Sequence, residues 1–283
     1  MQRRGPGDLQ RVLTSDLPRL VSGVAIEAGW AAAHVVMYPL GLVSDAAART
    51  SRRHDLAGLS PEQRGLVHRG VAAAETPILL VHGIIDNHSI FALLQRALRR
   101  RGFATISSWD YGLLTRDIPV AARLLGEAIA KLAADSGYER IHVIGHSLGG
   151  LIARYYVQRL GGDARVHTLV TLGTPHSGTE AARPWRMVPL LGQLTPGSPV
   201  LRELAEPAPD CRTRFLVVAS DLDHMIRPTS NARLEHPDLT VRNVAVRGVG
   251  HLSLPHNASV AFTIASALTE LDPFETSEPL RPA

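Results

Sequence analysis

From Thr76 onward the chain alternates short apolar runs with longer amphipathic stretches. The short runs at Ile78–His82, Thr105–Ser108, Ile141–Ile144, Val166–Leu172, Phe215–Ala219 and Thr240–Val246 read as strands. Between and after them, helical spacing predicts helices over Ser89–Arg101, Asp117–Ala134, Ser147–Leu160 and Asn257–Leu271. Gly102 and Gly161 fall just past two of these helices, where a left-handed residue closes the last turn. Strand and helix in strict alternation predict an α/β fold, with a mostly parallel central sheet covered by helices on both faces.

The alternation is missing at both ends and at one place inside. Residues 1–70 form a helical extension, 71–283 the α/β domain, and the tail from Asp272 looks frayed. Within the domain, about 177–210 is an insertion rich in proline, with an exposed-looking apolar set of Trp185, Met187, Val188, Leu190, Leu191 and Leu194. So long a stretch inside a compact domain is usually functional or has structure of its own. Two readings stand side by side: a helical cap that completes the core, or a lid with an apolar underside.

In the extension, residues 21–43 ("VSGVAIEAGWAAAHVVMYPLGLV") have the length of a bilayer span. Glu27, His34 and Tyr38 share one helical stripe and Pro39 interrupts the run, and a charge at bilayer depth is costly. A helix packed on its own domain or on a second subunit, an interfacial segment giving peripheral membrane contact, and a true span all stay open. Asp8 and Asp16 dilute the basic start and no small-x-small cleavage site follows, so a cleavable signal peptide is not expected. The expected location is cytoplasmic or membrane-associated.

Composition narrows the classes. The chain has 283 residues, 45% hydrophobic and 20% charged, which is ordinary globular usage and ample for a core. The single cysteine, Cys211, excludes an intramolecular disulfide and a multi-thiolate metal site. The net charge of +4 is carried almost wholly by arginine, Lys131 being the only lysine. These arginines are scattered through helices rather than clustered beside aromatics, so nucleic acid is not an expected partner. No H-E-x-x-H is present and no G-x-G-x-x-G opens a helix after a strand, so neither a metal of that kind nor a dinucleotide cofactor is expected.

The chemistry concentrates at "VIGHSLGG", residues 143–150. A predicted strand ends at Gly145 and a helix begins within a few residues, with Ser147 between. Glycines two positions to either side permit a sharp, strained turn that lifts the serine Oγ above the sheet edge, over a helix N-terminus. This pattern makes Ser147 a candidate nucleophile. A polar turn with a serine in it is the plain alternative.

"GHSLGG" together with "LLVHGIIDN" and "TLGTPHSGT" resembles α/β-hydrolases of the bacterial lipase class, particularly the actinobacterial lipase/esterase group, with a looser similarity to GPI-inositol-deacylase-type esterases. The resemblance covers roughly residues 76–272. It implies an α/β-hydrolase fold with a lid and a carboxylic-ester hydrolase acting on lipid-like esters, without a cofactor. An acyltransferase using the same residues and a non-catalytic lipid-binding protein are the alternatives; oligomeric state is not legible.

In that fold the order along the chain is serine, acid, histidine, each after its own strand. His251, in "AVRGVGHLSLPHN", follows a predicted strand through a glycine turn and precedes the last helix; His256 is the second choice. The acid should follow Phe215–Ala219, where "SDLDHMIRP" offers Asp221 and Asp223. The resemblance selects Asp223, because Ser220, Asp223, Ile226 and Pro228 fit the family's spacing. Asp221 would then hold turn amides. The oxyanion donors would be the amide of Leu148, next after the nucleophile, and that of Ile84, which follows a His82-Gly83 pair resembling the family's His-Gly. The side chain of His82 is read as a structural hydrogen-bonder. "GTPHSG", Gly173 to Gly178, corresponds to a segment that lines the site and leads into the lid; Trp185, Met187, Leu190 and Leu191 are the candidate lining residues. His176 precedes the acid in the chain, so it is read as structural. A calcium site built from scattered carboxylates, as in some lipases, stays open.

Overall fold

The computed structural model describes residues 75–84, 88–112 and 115–269. The expected extension, including residues 21–43, and the tail from 270 lie outside the described residues. Among the described residues no helix is long and apolar enough to cross a membrane.

Six strands form one sheet: β1 (Ile78–Val81), β2 (Ile106–Trp109), β3 (Ile141–His146), β4 (Val166–Leu172), β5 (Arg214–Ser220) and β6 (Thr240–Val246). Their order is β2-β1-β3-β4-β5-β6 and every neighbouring pair is parallel. A parallel sheet must be covered on both sides, and β1, β3 and β4 are accordingly buried almost from end to end. Successive side chains then divide between two cores. Ile78 and Leu80 pack with α1 (Ala92–Arg100) and the C-terminal helix Ala258–Thr269. Leu79 and Val81 face α2 (Ile118–Ser136) and α3 (Leu148–Arg159).

The helix ends follow local chemistry. Asp117 caps α2 by accepting from the Val120 amide at 2.8 Å, and Gly137 closes its far end at φ 77°. The two glycines singled out in the sequence are also left-handed, Gly102 at φ 97° and Gly161 at φ 70°. The helix expected from Ser89 divides in two: His88–Phe91 is a 3-10 turn, and α1 starts only at Ala92. Ile90 and Phe91 are buried in that turn and mimic helical spacing.

The insertion contains a 3-10 segment at Glu180–Trp185 and two short helices, α4 (Pro189–Gln193) and α5 (Pro199–Glu203); the C-terminal helix Ala258–Thr269 is α6. Much of its apolar content is core. Leu190, Leu194, Val200, Leu201 and Leu204 are buried in the α2–α3 cluster, and Leu191 packs against it. The exposed-looking set of the sequence therefore splits: Leu190 and Leu194 are inside, whereas Trp185, Met187 and Val188 are exposed, Met187 at 87%. Pro189 and Pro199 each open a short helix just after its N-cap, and two helices of five residues are too short to show a clear apolar period in the sequence.

Candidate active site

The chain runs from β1 outward to β2, then crosses back to β3 on β1's other side. That reversal opens a crevice beyond the carboxyl ends of β1 and β3, where ligands bind in open α/β sheets. Register determines what lines it. Val81 pairs with Gly145, so His82-Gly83-Ile84 leaves β1 level with His146-Ser147-Leu148. Leu172 pairs with His146, so Gly173 leaves β4 beside Ser147.

Ser147 sits at φ 52°, ψ −122°, the only non-glycine with positive φ among the described residues. Such backbone strain persists only where the surroundings enforce it. Here the strand and helix approach so closely that a Cβ at Gly145 would come 2.5 Å from Gly150 Cα, and one at Gly149 would collide with the carbonyls of Val81 and His82. The Ser147 amide donates to the Leu172 carbonyl at 2.8 Å, and Thr174 Oγ1 donates to the Ser147 carbonyl at 3.0 Å. The Leu148 amide is in the first turn of α3, whose unpaired N–H groups concentrate positive potential.

Asp223 and His251 meet 28 positions apart in the chain, with Nδ1 of the imidazole 2.7 Å from Oδ2 of the carboxylate. Both are buried. The other oxygen, Oδ1, accepts from the amides of Met225 (2.9 Å) and Ile226 (3.1 Å). The pair stands over Gly173: a Cβ there would lie 3.0 Å from Asp223 Oδ2 and 3.1 Å from His251 Nδ1. Asp221 instead faces solvent and accepts from the Gly248 amide at 2.8 Å. His256 ends a 3-10 turn at Leu254–His256, and Asn257 caps α6 after it, accepting from the Val260 amide at 3.1 Å. His146, buried beside the elbow, has Nε2 3.2 Å from the His251 carbonyl and its ring centroid 4.8 Å from that of His251.

Ile84 is partly buried and packs against the α2–α3 core. Behind it His82 is buried, with Nδ1 2.8 Å from the Gly83 carbonyl and Nε2 3.1 Å from Asp110 Oδ1. Asp110, at the carboxyl end of β2, is a residue the sequence reading missed. So is Arg154, the one charge in the buried run of α3. Its guanidinium donates to Gln158 Oε1 (2.6 Å) and to the carbonyls of His176 (3.0 Å) and Leu204 (2.9 Å). The insertion thus leaves and rejoins the domain on one side chain. His176 is buried, with Nε2 2.9 Å from Thr171 Oγ1, and burial, followed by the charge of Arg154, pushes its pKa well below the ordinary histidine value. A neutral ring held in that way is structural. The only signal for Arg154 was a lone charge amid apolar helix; for Asp110 it was an acid next after a strand.

Of the candidate lining residues, Leu190 belongs to the core and Leu191 packs against it, while Trp185 and Met187 lie exposed. The insertion's first segment is tied to the loop that carries Asp223: the Glu180 amide donates to the Arg227 carbonyl at 2.8 Å, and Thr179 Oγ1 to the Met225 carbonyl at 2.8 Å.

A strained serine after β3, a histidine–carboxylate pair after β5 and β6, and this strand order fit the pattern of the α/β-hydrolase fold. Comparison with known proteins agrees. The sequence profile of the palmitoyl protein thioesterase family matches residues 77–205. A triacylglycerol lipase of Pseudarthrobacter phenanthrenivorans is 29% identical over 118 residues, covering 39% of this chain and 36% of that protein. The chain spans about a third of the length of the curated relatives it matches. Among solved structures, Bacillus licheniformis lipase BlEst2 in its mature form superposes with a TM-score of 0.55 at 16% identity, covering 70% of this chain and 93% of that one. Aspergillus fumigatus lipase B gives 0.61 at 17% identity, covering 77% and 58%. The fold is that of the α/β-hydrolases, and over part of its length the sequence is similar to proteins of the lipase and thioesterase kind.

Proposed function

We propose that this chain is a serine carboxylic-ester hydrolase acting on lipid-like esters. Ser147 Oγ attacks the ester carbonyl carbon while His251 Nε2 takes its proton, with Asp223 holding the imidazole through Nδ1. The amides of Ile84 and Leu148 carry the oxyanion. Collapse of the tetrahedral intermediate breaks the ester C–O bond, and His251 returns the proton to the leaving alcohol. Water, deprotonated by the same histidine, then attacks the acyl-enzyme; the acid leaves and Ser147 regains its proton.

The observation that carries this reading is the buried 2.7 Å bond between Asp223 and His251, standing over Gly173, one strand from the strained Ser147. Lipid preference draws support from the lipase names of the relatives and from the apolar exposure of Trp185, Met187 and Met225 around the insertion. The palmitoyl protein thioesterase match favours a second substrate, the long-chain acyl thioester, for the same residues.

The test is a profile of p-nitrophenyl ester hydrolysis from acetate to palmitate, in monomeric and micellar solution, with a palmitoyl thioester alongside. Rates should rise toward the longer chains, and Ser147→Ala and His251→Ala should abolish them while the fold persists. Undiminished turnover in either variant removes that residue from the mechanism. Rates that fall with chain length make the protein a short-chain esterase, and a faster thioester reaction selects the second substrate.

A further inference from the structure

The geometry points to Asp110 as a positioning residue for the oxyanion turn, acting through the ring of His82; this rests on the hydrolase reading above. β2 pairs with β1 so that Trp109 lies level with Val81, which brings Asp110 and Tyr111 alongside His82 as both strands end. Both ring nitrogens of His82 then face acceptors. Nδ1 is 2.8 Å from the carbonyl oxygen of Gly83, and Nε2 is 3.1 Å from a carboxylate oxygen of Asp110. Neither a carbonyl nor a carboxylate can donate, so in each contact the ring is the donor and the oxygen the acceptor. The ring of His82, braced by Asp110, therefore sits behind Gly83 and Ile84.

The rest of the cluster fixes the same turn. The Tyr111 hydroxyl donates to the His82 carbonyl at 2.9 Å, and its ring stacks on that of His82 at 4.4 Å between centroids. Asp110 also receives the backbone amide of His88 at 3.1 Å and has its Oδ2 3.0 Å from that residue's Nδ1. One carboxylate thus ties the residue before the turn to one beyond it. Burial would raise the Asp110 pKa, but hydrogen bonds and charge from His82 and His88 outweigh this and hold it below the ordinary carboxylate value.

The peptides that precede the Ile84 amide are held by these contacts: the His82 carbonyl by Tyr111 and the Gly83 carbonyl by the His82 ring. An oxyanion donor is effective when it needs no reorganisation as charge develops. Loss of the support should therefore weaken transition-state binding and leave substrate binding alone.

The experiment compares the full-length wild type with Asp110→Asn and Tyr111→Phe, using p-nitrophenyl butyrate for turnover and an alkylboronic acid as the tetrahedral mimic. Asp110→Asn should lower kcat by about 10- to 100-fold, less than deleting a donor outright. KM should stay within about twofold, boronate affinity should fall in parallel with kcat, and near-UV circular dichroism should be unchanged. Tyr111→Phe should show the same split with a smaller loss. A rise in KM alone, or kcat and boronate affinity both at wild-type level, overturns the role. If Asp110→Asn fails to fold, Tyr111→Phe decides on the same criteria. A wild type inert toward esters and thioesters alike overturns the hydrolase reading, and this inference with it.

Discussion

Asp223 gives one carboxylate oxygen to His251 and the other to the backbone, accepting Nδ1–H at 2.7 Å on Oδ2 and the amides of Met225 and Ile226 on Oδ1. The two amides lock the carboxylate plane, so the ring of His251 has one preferred orientation and one tautomer, with Nδ1 protonated. Asp223→Asn can keep the shape but presents a group that no longer enforces the tautomer. We expect kcat for ester hydrolysis to fall on the order of 10³–10⁴-fold. Asp221 holds only the Gly248 amide at the surface, so Asp221→Asn should stay within about twofold of wild type. Steady-state kinetics on the two variants check the ranking; the opposite order would move the acid to Asp221.

Gly149 tests whether the elbow is set by sterics. In an ordinary helix Gly→Ala is favourable by about 1 kcal/mol. At this position the added methyl meets the carbonyls of Val81 and His82, which are fixed by β1 and cannot swing away. Overpacking against backbone typically costs 1–3 kcal/mol, so the sign reverses. Gly149→Ala should lower the urea midpoint and the activity together, whereas Gly112→Ala, with nothing within 4 Å of the new methyl, should be neutral. A Gly149→Ala protein as stable and active as wild type would mean that the crossing of β1 and α3 is looser than its contacts indicate.

Arg154 fixes the root of the insertion. Removing its guanidinium, as in Arg154→Met, leaves the buried carbonyls of His176 and Leu204 without that donor, at about 1–3 kcal/mol each. Lysine is no substitute, since a single ammonium cannot span Gln158, His176 and Leu204 in one plane. Both variants should lose on the order of 3 kcal/mol in urea denaturation, and protease should cut first within 177–205. A loss below about 1 kcal/mol would show that the insertion is held by the packing of Leu190, Leu201 and Leu204 alone.

The sheet was legible because buried parallel strands need apolar residues on both faces. Ile141–Ile144 and Val166–Leu172 stand out without reference to anything distant, and the first of these simply continues to His146. Ser147 was legible for a local reason too: a strand, a turn with flanking glycines and a helix follow one another within a few residues. The bond between Asp223 and His251 is a different matter, since chain order and a family resemblance nominated the pair but no local pattern distinguishes Asp223 from Asp221. Arg154 and Asp110 left only faint local signals, because apart from Gln158 their partners are backbone groups and histidines more than twenty positions away, brought close by sheet register and by the path of the insertion. Leu190 and Trp185 illustrate the same limit. They are five positions apart and similarly apolar, yet one is core and the other exposed, and only the surrounding helices decide which.

His142 carries the last prediction, on acid stability. It lies fully buried on β3, neither ring nitrogen has a hydrogen-bond partner among the described residues, and the ring of His167 stands edge-on at 5.4 Å. Burial first, then the charges of His167, Arg214 and Arg140, push its pKa from 6.5 down to about 3. The folded protein keeps this ring neutral until about pH 3, whereas the unfolded chain protonates it near pH 6.5. Between those values the unfolded state binds more protons, so stability falls as pH falls through that window and is fully retained above it. Each pH unit inside the window costs up to about 1.4 kcal/mol. His142→Leu removes the titration and replaces two unsatisfied nitrogens by apolar surface. Its urea midpoint should match or exceed wild type at pH 8 and exceed it clearly at pH 5, by a few kcal/mol in free energy at most. His176, buried and also depressed, keeps a residual slope in the variant. Parallel pH profiles for wild type and His142→Leu would show that protonation of other groups governs acid unfolding.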